Sequence, residues 1–230
     1  MLAIPGPPGG QSGALGNYVL SHNRYGYYLR NRVVPTNPSS IRQQEIRTAL
    51  GEMSQRWSTV LTPGQRDAWE VYAANIAVTN RIGQVIYLTG HAMYVACNSA
   101  RVYAGLDVVD DGPTTLTRPD ADSGFGATGS EATQQISVAF DDTRDWASED
   151  GAAMVVQMSQ PTGVGTSYNQ GPYRHAGVIL GDAASPPTSP QLIAVPFPVA
   201  ENQLLSVQAR ITRADGRLSQ PFRDSLIVAA

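Results

Sequence analysis

The stretch RWSTVLTPGQRDAW, residues 56–69, places two of the three tryptophans of the chain on either side of a helix-stop, helix-start signal. Thr62 reads as an N-cap, Pro63 as a first-turn residue and Gln65 as the capping-box partner. Upstream, Ser40 with Gln43 forms a second capping box. From there Ile46, Leu50, Met53, Trp57 and Val60 recur at steps of four, three, four and three, one apolar helical stripe. Downstream, Trp69, Tyr72, Ala73 and Ile76 share one face. So short a connection makes the two helices antiparallel neighbours. Trp57 and Trp69 are then expected to meet near the turn, each burying ~150–250 Å². Leu50, Met53, Trp57, Trp69 and Tyr72 form the expected core, which explains both tryptophans without a ligand.

Toward the N-terminus, residues 17–34 read as a β-hairpin: Tyr18 and Leu20 alternate, Asn23–Gly26 turns, and Tyr27–Val34 returns rich in β-formers. A lone hairpin is marginal in water and must pack on something. Tyr18, Tyr25, Tyr27 and Tyr28 with Arg24, Arg30 and Arg32 have the composition of an interface core. The same residues also suit a nucleic-acid stacking strip, or a cover for the helices that follow. Residues 1–16, rich in Gly and Pro, read as an extended arm.

Toward the C-terminus, QVIYLTG reads as a short strand and HAMYVACNSARVYAG as a third helix closed by Gly105. Residues 106–134, dense in Asp, Gly, Pro, Ser and Thr, read as a linker. Beyond it, QISVAFD, AAMVVQMSQ, YRHAGVIL, LIAVPFP, QLLSVQARITR and DSLIVAA are strand-like runs parted by turn signals, as in an antiparallel β-sandwich. Their spacing and the ending ARITRADGRLSQPFRDSLIVA are similar to a fibronectin type III-like domain. The expected fold class is α+β: an arm (1–16), a hairpin and helical docking module (17–105), a linker (106–134) and a β-sandwich (135–230).

The order of motifs over residues 12–105 resembles a family of mostly uncharacterised virion structural proteins of tailed phages and prophages. The resemblance rests on Gly13 and Gly16, the segment Arg32–Pro38, Gln43–Arg47, the Trp57–Trp69 corner with its Leu-Thr, Gln-Arg and Ala-Trp elements, and Thr89–Asn98. It covers some two-fifths of the chain. It implies a virion component carrying the sandwich as an appended module, with no catalytic or ligand site to transfer.

Chemistry-bearing patterns are sparse. His22, His91 and His175 have no Cys or His at metal-ligand spacing, and Cys97 alone excludes an intrachain disulfide. GFGATG, residues 124–129, lacks the Lys-Ser/Thr, the preceding strand and the following helix of a phosphate loop. The aspartates of FDDTRDW, Asp141, Asp142 and Asp145, have no EF-hand spacing and read as turn formers rather than a Ca²⁺ site. No metal or cofactor is expected, and the chain reads as non-enzymatic. No apolar run approaches the ~20 residues of a membrane helix. Residues 1–105 carry nine arginines against four acids, and residues 106–230 seven against fifteen. The basic half suits an acidic partner surface, including that of a neighbouring copy.

These readings converge on a capsid cement or decoration protein in the virion, docked on the major capsid protein and on copies of itself. The alternatives are a tail, neck or baseplate component, a carbohydrate- or receptor-binding module using Tyr168 and Tyr173, and a nucleic-acid binder. The acidic C-terminal half and a pI near 5.6 argue against the last.

Overall fold

The computed structural model describes residues 13–23, 26–34, 36–37, 39–79, 84–166 and 171–230. Three helices and thirteen strands are present among them, an α+β chain. Its residues divide into two compact units, Met1–Gln44 and Glu45–Ala230.

In the first unit, β1 (Gly13–Leu15), β2 (Tyr18–Asn23) and β3 (Gly26–Asn31) form an antiparallel sheet in that order. Strand β1 lies inside the segment expected to be an arm; Leu15 pairs with Tyr18 across a two-residue turn. The β2–β3 register sets Tyr18 opposite Asn31 and His22 opposite Tyr27. The turn residues Arg24 and Tyr25 lie outside the described residues, as do residues 1–12, Pro35 and Pro38.

In the second unit, the helical corner forms around α1 (Ile41–Thr59, its first turn belonging to the first unit) and α2 (Pro63–Asn75). The expected capping box is present: the Gln65 backbone N–H donates to Thr62 Oγ1, and the Thr62 N–H donates to Gln65 Oε1 at 2.8 Å. Strands β4 (Ala77–Thr79) and β5 (Val85–Tyr87) make a small hairpin, and α3 (Gly90–Tyr103) follows from its N-cap Thr89. Gly105, at φ +72°, ends α3 in the left-handed conformation that glycine adopts most readily.

The helical core gathers Met53, Leu61, Trp69, Tyr72, Ala73, Ile76, Met93, Tyr94 and Cys97, with Leu218 reaching in from the far end of the chain. Two expectations are corrected here. Leu50 is 42% exposed, because Ala49 rather than Leu50 shares the inward face with Met53. The two tryptophan rings do not form the expected pair. Trp57 is half-buried against Tyr94 and His91, whereas Trp69 is fully buried against Tyr94 and Tyr72. Each ring packs on Tyr94, which supplies the filling that direct contact was expected to provide.

The sandwich pairs two sheets. One runs β11 (Gln191–Ala194), β7 (Gln135–Ala139), β6 (Gly126–Ser130). The other runs β10 (Arg174–Leu180), β8 (Ala153–Met158), β12 (Gln203–Thr212), β13 (Phe222–Ile227), with β9 (Thr162–Gly163) also on β12. Their inner faces bury Ile136, Val138, Met154, Val156, Met158, Leu205, Val207, Ala209 and Ile211. The other face of β8 is covered too: Ala153 and Val155 pack on Ala104 and Leu106, which follow α3.

The expected linker is therefore part of the folded body. Strand β6 lies within it and pairs with β7 over five residues. Asp122 is buried, accepting hydrogen bonds from the N–H groups of Gly124 and Asp141. At Gly112 a Cβ would stand 2.6 Å from Ala68 Cβ, so the chain passes α2 where no side chain fits.

Trp69→Ala removes a fully buried indole and is expected to cost ~3–5 kcal/mol, whereas half-buried Trp57→Ala costs about 1–2 kcal/mol. Urea denaturation followed by circular dichroism measures both. Cys97, whose thiol is pushed up to about 12 by burial, reports the same event. It stays unlabelled by a thiol reagent in the native protein and reacts faster in Trp69→Ala than in Trp57→Ala.

Candidate functional site: a strapped helical corner and an N-terminal sheet

Residues 107–112 lie as a strap across all three helices. Asp110 accepts from Arg56 Nε at 2.7 Å and from Arg56 Nη2 at 2.6 Å, and from the Tyr94 hydroxyl at 2.9 Å. Its backbone carbonyl accepts from Trp69 Nε1 at 2.9 Å. One residue thus joins α1, α2 and α3. The Asn98 side chain pairs with the backbone of Val109 through both its oxygen and its nitrogen, at 2.8 and 3.0 Å. Arg101, almost fully buried, donates to the carbonyls of Asp107, Gly151 and Arg213. Tyr94, Asn98 and Arg101 are spaced by four and three, so α3 presents one buried polar stripe to the strap.

The bidentate Arg56 contact holds the Asp110 carboxyl below the usual carboxylate range, reinforced by Tyr94 and opposed by partial burial. The carboxylate already accepts three hydrogen bonds and one oxygen of the pair is shared by Tyr94 and Arg56, so the cluster is a structural joint. Among the described residues no group of three or more His, Cys, Asp or Glu is placed to hold a metal ion. Asp141 accepts from the Thr143 backbone and hydroxyl, and Asp142 accepts from Ser189 N–H. His22 packs on Tyr27 and His91 on Trp57.

The residues expected at an interface lie on the first unit, and the register sorts them. Directly opposed residues of an antiparallel pair share a face. Leu15, Tyr18, Leu20, His22, Tyr27 and Leu29 therefore line one face, and Val19, Ser21, Tyr28 and Arg30 the other. The Tyr/Arg set expected to act as one surface is thus divided: Tyr18 and Tyr27 lie on the apolar face, Tyr28 and Arg30 on the reverse. Arg32 follows β3, exposed, its N–H donating to the Asn17 carbonyl at 2.7 Å. None of the described residues of this unit is buried: Leu15 is 77% and Tyr18 49% exposed. Residues 1–44 contain four arginines and no acid, while the remaining 186 carry twelve arginines and nineteen acids.

Further exposed apolar side chains lie on the other unit. Val71 of α2 and Val85, Ile86 and Tyr87 of β5 are all exposed. Of the two tyrosines considered for glycan contact, Tyr168 lies outside the described residues. Tyr173 is engaged internally, its hydroxyl 2.9 Å from Ser206 Oγ and its ring beneath Arg223.

The chain matches no protein-family model and no curated protein.

Because the folded-state pKa of Asp110 is depressed, its contribution to stability is complete above the unfolded carboxyl pKa of ~3.9. That contribution is lost as pH falls through the lower folded value. Asp110→Asn is expected to lower stability at pH 7 and to flatten the fall in stability between about pH 5 and pH 2. Thermal unfolding across that range in both proteins makes the comparison.

Proposed function

We propose that this protein is a structural component of a tailed-phage particle, a cement or decoration protein that docks on the capsid shell and on neighbouring copies. The observation that carries the reading is the N-terminal sheet, whose apolar face of Leu15, Tyr18, Leu20, Tyr27 and Leu29 has no fully buried side chain, Leu15 and Tyr18 being exposed and the other three half-buried. Three strands with no buried residue among those described lack a core of their own, and such sheets need a surface to pack against. The motif order over residues 12–105 supports a virion setting. The sandwich, with three strands on one sheet and β10-β8-β12-β13 on the other, supports an appended module of fibronectin type III-like topology. Excess positive charge on the docking unit, against net negative charge on the remainder, favours approach to an acidic surface and steers it.

The test is immuno-electron microscopy of phage or induced prophage particles carrying this gene, with an antibody to the sandwich. Label over the whole head is the expected result. Label at one pole or along the tail moves the protein to the neck, tail or baseplate, and particles without label under conditions where the antibody binds free protein overturn the reading. Recombinant protein carrying Leu20→Glu and Leu29→Glu should keep its sandwich fold and fail to rebind depleted particles that wild-type protein decorates.

A further inference from the structure

Four arginines of the second unit, Arg56, Arg144, Arg213 and Arg217, pair with an Asp or Glu. Three others, Arg118, Arg210 and Arg223, pair with no carboxylate among the described residues, and they belong to one side of the sandwich. Val207, Ala209 and Ile211 of β12 face the core, so Gln208 and Arg210 face outward, and Arg223 of β13 lies directly opposite Gln208. The one acid of β13, Asp224, faces inward opposite Val207. The outward positions Gln157, Ser206, Gln208, Arg210, Arg223 and Ser225 therefore include no acid.

This arginine face is arranged rather than loose. Arg223 is exposed, yet its Nε donates to Gln208 Oε1 at 2.9 Å, and Gln208 Nε2 donates to Gln157 Oε1 at 2.9 Å. Its guanidinium carbon stands 5.3 Å from the centre of the Tyr173 ring. Held through Nε and stacked on a ring, the guanidinium turns its two terminal nitrogens outward as a fork for an oxyanion. Arg210 is half-buried on the same face, and Arg118 comes from the segment leading to β6. Burial pushes the Arg210 guanidinium below its ordinary value, and the like charge of Arg118 adds to this. In both residues Nε is the enclosed, unpaired nitrogen, so the terminal nitrogens are the atoms a partner reaches. Neighbouring guanidiniums without a carboxylate repel, and an acidic partner relieves that repulsion.

The chain carries a matching surface of its own. The β7–β8 connection, residues 141–150, holds five acids against one arginine. Glu149 is taken by Arg213, and Asp141 lies 3.9 Å from Arg144. Asp142 and Asp150 are exposed, each spending one oxygen on a backbone N–H, of Ser189 and Ala183. Asp145 is 88% exposed, with Arg213 at 3.9 Å. Within one copy this connection meets Arg144 and Arg213 and pairs with none of the three outward arginines. We infer that the face of Arg118, Arg210 and Arg223 docks the 141–150 connection of a second copy, with Asp142, Asp145 and Asp150 as the carboxylates received. Two different surfaces then meet, a head-to-tail contact that builds rings or open chains rather than closed pairs. It requires nothing from the N-terminal sheet and holds whether or not the chain belongs to a particle.

Sedimentation velocity of the full chain tests this. Wild-type protein at about 10–500 µM is expected to associate with rising concentration in about 50 mM salt and to dissociate in about 500 mM, where charges are screened over a few ångströms. Arg223→Glu and Asp145→Asn change exposed side chains, keep the wild-type melting temperature, and are expected to weaken association roughly tenfold each. An equal mixture of the two variants forms dimers and nothing larger, because each copy retains one intact surface. Wild-type protein that stays monomeric in low salt overturns the proposal, as does weakening by only one of the two variants. Association that survives both variants and is abolished by Leu20→Glu with Leu29→Glu belongs to the first unit; it overturns this contact and leaves the proposed function standing.

Discussion

Asp110 is the point on which the second unit turns. Its carboxylate takes the Arg56 guanidinium of α1 in a two-pronged contact and the Tyr94 hydroxyl of α3, and its carbonyl takes the Trp69 indole of α2. Any one of these bonds is modest, since the Arg56 side chain remains 38% exposed and water screens the pair. Their combination matters more, because it specifies one arrangement of three helices around one residue and leaves the Trp69 N–H satisfied inside an apolar core. Removing the carboxylate strands a guanidinium and a buried phenol together, so the cost exceeds that of any single bond.

The strap also sets where the sandwich begins. Arg101 ties the carbonyl of Asp107 to those of Gly151 and Arg213, which belong to two loops of the sandwich. A buried arginine keeps its charge, and carbonyl oxygens are the partners that make this tolerable. From the other side, the β12–β13 loop sends Leu218 into the helical core. Helices and sandwich are thereby one folding body, and β8 reflects it: the run Ala153–Val156 is buried on both faces, as a strand covered on both sides must be.

What was legible in the sequence was what local chemistry decides. The Thr62–Gln65 capping box, the Trp69–Ile76 face and the end of α3 at Gly105 all depend on residues within a few positions of one another. The linker reading failed at 106–134 because its ordering comes from afar: Asp110 is held by Arg56, and Asp122 by the Asp141 N–H. Strand β6, Gly-Ala-Thr-Gly-Ser, has no alternating apolar residues to announce it, and its place is set by β7 and by Asp224, which accepts from the Ala127 N–H. The buried spacing of Tyr94, Asn98 and Arg101 was present in the sequence. It is the one signal that a polar partner crosses α3. The Leu50 error was a matter of phase, since Ala49 and Leu50 differ by one helical step and the larger residue invites the inward assignment.

The first unit obeys the opposite logic. The β2–β3 pair is local and was readable as a hairpin, whereas β1 lies in a segment that reads as an arm; the sheet buries none of its described residues, so local pairing alone cannot account for its persistence. Ordering a strand residue costs roughly 1–2 kcal/mol of backbone entropy, and a sheet recovers that chiefly by burying one face. Under the proposed role, an apolar face opposed by an Arg-bearing one, with no acid in residues 1–44, suits a surface that is apolar at its centre and acidic at its edge. Under the proposed role such a surface recurs many times on a shell, and neighbouring contacts then raise the effective concentration of each sheet at its site. A weak single contact suffices there, and that explains why a unit with so little core of its own can serve as an attachment.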